Sequence, residues 1–288
     1  MLRTVLLGLL AVLFAAITAV YVIAWRSPPT LAYTPTSTAY PLMSWDEYRG
    51  VAATFEPPVI RTFADGPDGA VLFFGAEHSG DRNHPQFAAL AQAFEEFEPS
   101  MVLVEGRLGF LLPGLMDPVE TYGESGFAVA EARRRGLPFY SWELSKADEI
   151  AALRENFSRE QVALFIILRP FLANNHPGQD RSPEDRLRHY IQERGDRPGI
   201  EGEITDVSQI DAIWQRDFPD HTDWRELRFG TRLPGYLGEL FEAANNVRDT
   251  HLLNAVMQYT VAGERVLVVA GWSHVVRIEP VFQAAAGG

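Results

Sequence analysis

Two histidines each stand three residues after a glycine that ends an apolar run. Gly75-Ala-Glu-His78 follows Ala70-Val-Leu-Phe-Phe74, and Gly271-Trp-Ser-His274 follows Val266-Leu-Val-Val-Ala270. An imidazole exchanges protons near neutral pH and ligates metals through either ring nitrogen. Carboxylates occupy comparable places: Glu77 lies inside the first exit, Glu105 follows Met101-Val-Leu-Val104, and Glu143 follows Leu137-Pro-Phe-Tyr-Ser-Trp142. If these strands are parallel neighbours, both histidines and at least two of these carboxylates converge on one edge, and any metal in this cysteine-free chain would be held by histidine, carboxylate or water. The residues so placed, Glu77, His78, Glu105, Glu143 and His274, are the candidates for a shared site. One Gly-x-x-His would carry little weight, because a lone histidine at a strand end is more often a hydrogen-bonded structural residue. Two copies, with Glu105 placed alike, point to a shared site.

The apolar runs before these residues are too short for helices and β-prone enough for buried strands. Between them the spacing is helical. Phe87, Leu90, Ala91, Phe94 and Phe97 predict an amphipathic crossover helix, with Asn83 or His84 as its cap and Pro85 in its first turn. A second helix is expected over Gly126–Arg135, a short lead-in helix over Ser44–Ala53, and a turn at Gly66-Pro-Asp-Gly69. Strand, helix, strand, helix, strand predicts right-handed parallel crossovers. The fold class expected is thus α/β, a mainly parallel central sheet flanked by helices. In such sheets ligands sit beyond the carboxyl ends of the strands, where the histidines and carboxylates fall.

Residues of about 157 to 233 read as a helical insertion. Ser145-x-x-Asp148 and Ser158-x-x-Gln161 are helix starts, the second opening the apolar Val162–Leu168, interrupted at Pro170. Gly235 to about Val261 reads as one long helix. Arg248 there shares a side with Leu237, Phe241, Ala244, His251 and Ala255, so it requires a carboxylate or ligand partner. A closing helix is expected over Val275–Ala286.

From Thr4 to Trp25 there is no charge, long enough for a helix to cross a ~30 Å hydrocarbon core. That length exceeds the ~7–15 residues of a signal-peptide core and points to an uncleaved anchor over residues 1–26; a cleaved signal peptide is the alternative. Pro/Thr-rich residues 27–43 read as an extended tether. The main domain, 44–288, is then expected on the far side of the membrane, periplasmic or extracellular. A net charge of −13 argues against nucleic acid as a partner. With no cysteine there is no disulfide and no thiolate metal site.

Gly75-Ala-Glu-His78, Asn83-His84-Pro85, Val104-Glu105-Gly-Arg107, Arg248-Asp249 and Gly271-Trp-Ser-His274, in this order, resemble the TIKI/TraB superfamily. That group includes TraB/GumN-like proteins, erythromycin-esterase-like enzymes and ChaN-like haem-binding proteins. The resemblance spans roughly residues 68 to 280, with the helical insertion poorly matched. It implies a hydrolase of peptide or small-molecule ester substrates, with His78, Glu105 and His274 as metal ligands around zinc, manganese or cobalt and a position left for water. In that metal version the catalytic residues are Glu77, His78, Glu105, Glu143, Arg248 and His274: Glu77 or Glu143 would accept the water's proton, and Arg248 or Arg107 would stabilise a developing oxyanion. Its esterase-like branch implies metal-free acid–base hydrolysis instead, although this chain has Gly-Ala-Glu-His where that branch has Gly-Glu-x-His. Its ChaN-like branch implies haem bound through His78 or His84. A non-enzymatic envelope protein that keeps the charged crevice only as structure is the remaining class.

Overall fold

The computed structural model describes residues 13–15, 18, 20, 24, 27–36, 40–66, 69–173, 181–228 and 232–286. The expected anchor falls mostly outside these, as do residues 174–180 with His176. No helix among the described residues is long and apolar enough to cross a membrane. The chain divides into two units, Met1–Glu143 with His251–Gly288, and Leu144–Thr250.

The first unit is built on a five-stranded sheet: β1 (Val59–Gly66), β2 (Gly69–Ala76), β3 (Met101–Val104), β4 (Phe139–Ser141) and β5 (Arg265–Gly271). The strand order is β1-β2-β5-β3-β4, and every neighbour pair is parallel except β1 with β2. β2, β3 and β5 are buried on both faces, which is why they read as continuous apolar runs. Alternation assigns their side chains to two layers. Val71, Phe73, Leu103, Val266 and Val268 pack in one core with Leu252, Val256, Val275 and Phe282. Leu72, Phe74, Val102, Val104, Leu267 and Val269 pack in another with Leu90, Phe94, Ala128 and Val129.

The flanking helices are α1 (Trp45–Val51), α2 (Gln86–Phe97), α3 (Pro118–Arg135), the carboxyl-terminal part of α8 (Gly235–Val261), and α9 (Trp272–Ala286). Two differ from expectation. α3 begins eight residues earlier than its expected Gly126 start, because Asp117 caps Val119 and Glu120 and Pro118 occupies the first turn. Its backbone breaks at Tyr122 and Gly123, the latter at φ 55°. α9 starts at Trp272 rather than Val275, directly at the end of β5, so His274 lies in its first turn.

β1 was not expected. It follows the Pro57-Pro58 pair and forms an antiparallel edge. Nor does the expected tether run free. Leu31 N–H donates to Ser141 O at 3.2 Å and Ser141 N–H to Pro29 O at 3.0 Å, covering the edge of β4. Tyr33 Oη then meets His251 Nδ1 at 2.6 Å, and the Thr36 and Tyr40 hydroxyls both donate to Asn254 Oδ1. Leu31 is buried beneath this strap.

The second unit is helical: α4 (Lys146–Arg154), α5 (Arg159–Ala173), α6 (Pro183–Arg194), α7 (Val207–Asp217) and the opening part of α8. It is wider than the expected 157–233. Ser158 and Gln161 form the reciprocal cap foreseen for α5, Ser158 N–H to Gln161 Oε1 at 2.9 Å and Gln161 N–H to Ser158 Oγ at 3.2 Å. Pro170 does not end that helix, which runs on to Ala173 with Phe171 and Leu172 buried. Its core is Val162 to Leu168 packed with Trp214, Trp224, Leu237 and Leu240.

Candidate active site

Strand register brings three of the predicted residues to one edge. β5 lies between β2 and β3, with Ala76 opposite Gly271 and Val104 opposite Val269. Glu105 continues the ladder, its N–H donating to Val269 O at 3.1 Å. One carboxylate oxygen, Oε2, accepts the Gly271 N–H at 2.6 Å. The other, Oε1, lies 3.7 Å from His274 Nε2. His78 approaches from β2. A Cβ placed on Gly271 would lie 3.2 Å from His78 Nε2 and 3.5 Å from Glu105 Oε2, so glycine leaves the space into which both groups face. Gly75 serves the reverse approach, for a Cβ there would meet Trp272 Cα at 2.8 Å and Val59 O at 3.0 Å.

The two histidines occupy different environments. The His274 side chain is 6% exposed and stands edge-on to Trp142, ring centroids 5.4 Å apart. Trp142 is itself fixed by its Nε1–H donating to Val269 O. The His78 side chain is 71% exposed, yet its Nδ1 lies 2.6 Å from Oε1 of Glu124, a carboxylate only 7% exposed. This contact orients the ring and leaves Nε2 toward Gly271 and Glu105.

Glu124 was absent from the sequence-based candidates. It sits just past the break in α3, where a Cβ on Gly123 would come within 3.0 Å of Ser79 O. Glycine at positive φ therefore lets the loop after β2 close onto α3. Ser125, the next residue, donates its hydroxyl to Glu105 O at 2.9 Å. One break in one helix thus braces both His78 and Glu105. Asp117 holds the start of that helix and pairs with Arg82. Burial raises its pKa, but two helix N–H groups and the Arg82 guanidinium outweigh this and hold the carboxyl below the usual range.

Glu77 is 57% exposed at its side chain and 3.5 Å from His84 Nε2. Its backbone is held by Gln86, Glu77 N–H to Gln86 Oε1 at 3.0 Å and Gln86 Nε2–H to Glu77 O at 2.6 Å. Glu143 is buried past β4, its N–H on Ser141 Oγ at 3.3 Å. Arg107 is exposed. Arg248 belongs to the helical unit, where it is buried and its charge acts on Glu149. Burial raises the Glu149 pKa, but Lys146 at 2.7 Å, Arg169 at 3.0 Å and the Arg248 charge bring it below the ordinary carboxylate value.

Two imidazoles and a carboxylate suit zinc, manganese or cobalt, and Glu124 on His78 Nδ1 is the kind of outer partner that fixes a ligating ring. Among the described residues, no three histidine or carboxylate groups stand close enough together to hold an ion as they are. What the arrangement offers directly is an exposed imidazole whose Nε2 lies beside a carboxylate, with a buried glutamate behind its Nδ1. Set against family models, curated proteins and solved structures, the chain matches none of them.

Proposed function

We propose that this chain is a membrane-tethered hydrolase of the TIKI/TraB type that cleaves an amide or ester bond, with His78 as its reacting imidazole. The observation that carries the reading is the Glu124–His78 contact of 2.6 Å, which leaves Nε2 of an exposed ring beside Gly271 and Glu105. A buried carboxylate behind one imidazole nitrogen fixes the ring and stabilises its positive charge when the other nitrogen takes a proton. His78 Nε2 then accepts a proton from water as its oxygen attacks the carbonyl, and returns it to the leaving group. Glu105 is held rigid by Gly271 and flanked by His274.

If the enzyme uses a divalent metal, His78, Glu105 and His274 would hold it. It would supply an acidified water, with pKa near ~7 for zinc, and Glu124 would keep the His78 ring in place. The metal-free reading is favoured by the exposure of His78 and by the engagement of Glu105 Oε2 with the Gly271 N–H. Tethering rests on the uncharged Thr4–Trp25 stretch, of which the described residues 13–15, 18 and 20 are helical with exposed side chains.

The test uses the full chain purified without chelators or affinity metal, alongside His78→Ala, Glu124→Gln and His274→Ala. Bound metal is measured and hydrolysis assayed on chromogenic ester and peptide panels. Near-stoichiometric manganese, zinc or cobalt, lost in both histidine variants, selects the metal reading. Hydrolysis without metal that is lost in His78→Ala and weakened in Glu124→Gln selects the metal-free one. Folded His78→Ala protein with full activity would overturn the proposal.

A further inference from the structure

The loop that leaves β3 at Glu105 carries a surface that the hydrolytic reading does not use. Its residues Gly106-Arg-Leu-Gly-Phe-Leu-Leu-Pro-Gly-Leu-Met116 contain no carboxylate in a chain of net charge −13, and Arg107 is their only cation. Leu108 and Leu111 are buried and root the loop in the core. Phe110 and Leu115 point outward, 53% and 83% exposed. The tip is ordered by hydrogen bonds rather than left slack: Met116 N–H donates to Leu112 O at 2.9 Å, and Tyr122 Oη donates to Phe110 O at 2.9 Å. Large apolar side chains held out on one braced loop make it a candidate interaction surface.

The path of the chain says what covers them. Ser27, where the described chain resumes after the uncharged Thr4–Trp25, donates its hydroxyl to Leu108 O in this same loop. A span that ends beside Ser27 delivers the loop to the membrane surface. We infer that the Gly106–Met116 loop docks on the lipid bilayer, with Phe110 and Leu115 entering the acyl region and Arg107 at the headgroups. The inference rests on the reading of residues 1–26 as an anchor. It turns the strand-end edge that carries Glu105 toward the bilayer, so the site would draw on substrates held at the membrane surface.

The chain has no cysteine, so one introduced thiol is a unique labelling point. The full chain is reconstituted in phosphatidylcholine vesicles as Phe110→Cys, Leu115→Cys and Val261→Cys, each carrying an environment-sensitive nitrobenzoxadiazole. Val261 is the control, 81% exposed and just before β5, at the amino end of the parallel strands. The expected result is blue-shifted emission at 110 and 115, quenched by acyl-chain spin labels and shielded from iodide, with the reverse at 261. Vesicle-bound protein in which all three positions are quenched alike by iodide overturns the docking and leaves the anchor standing. Protein that does not float with the vesicles overturns both.

Discussion

The exits of β2 and β5 share one sequence pattern and differ in almost everything that follows it. Beyond Gly271 the chain turns at once into α9, so His274 is buried against Trp142 and Glu105. Beyond Gly75 it enters a loop, so His78 is exposed and owes its orientation to a buried carboxylate on another element. The glycines are reciprocal. Gly75 admits the start of α9, and Gly271 admits the His78 ring. A repeated motif has been divided between a fixed partner and an accessible one, which a reading of either copy alone would miss.

Removing each glycine tests that reciprocity most severely. Gly75→Ala drives a methyl into Trp272 Cα and Val59 O, backbone on both sides, and neither can yield cheaply. The expected cost is about 3 kcal/mol, the upper end for overpacking, read from urea unfolding. Gly271→Ala meets the end of an exposed ring, so stability should change by less than ~1 kcal/mol. Displacing His78 should nevertheless lower hydrolysis ~100-fold, the cost of a small misplacement at a reacting centre. Equal stability losses in the two variants would break the comparison.

The histidines themselves come next. His274→Ala empties a buried site and should cost about 2–3 kcal/mol. His78→Ala removes an exposed ring but leaves Glu124 without this contact, so about 1 kcal/mol is expected, with loss of activity in both. Glu124→Gln sharpens the point. It should reduce activity or metal affinity ~10- to 100-fold with little change in unfolding midpoint, as outer partners of an imidazole do.

What the sequence made legible follows from burial. β2, β3 and β5 announce themselves because both faces are covered, and Glu105, His78 and His274 follow from where those strands stop. β1 does not, because Val59-Ile-Arg-Thr-Phe63 mixes polar residues into an edge and follows two prolines. Glu124 stayed hidden because Gly123 reads as a reason to begin a helix later, whereas at φ 55° it breaks one already under way. The strap over β4 was hidden for a related reason. Proline and threonine disfavour regular structure, but they leave backbone carbonyls and hydroxyls free to bind, as Pro29 and Thr36 do. Arg248 was expected to need a carboxylate or ligand partner, and its charge acts on the buried Glu149 within the helical unit.

The smallest effect is the one that best separates geometry from motif. Glu77 is next to His78 in sequence and was, with Glu143, one of two candidates for the base, yet its side chain is exposed and faces His84. Its contribution to the site runs through its backbone, held by both ends of the buried Gln86 amide. Gln86→Ala should therefore cost about 1–2 kcal/mol, since a part-buried N–H and C=O lose their partner. Glu77→Gln keeps that backbone pairing and gives up only an exposed ion pair, so unfolding should shift by under ~0.5 kcal/mol. Hydrolysis should stay within about twofold of wild type, since no reacting group depends on the side chain. A large fall in rate with an unchanged midpoint would move the base from His78 to Glu77 and undo the contrast between the two exits.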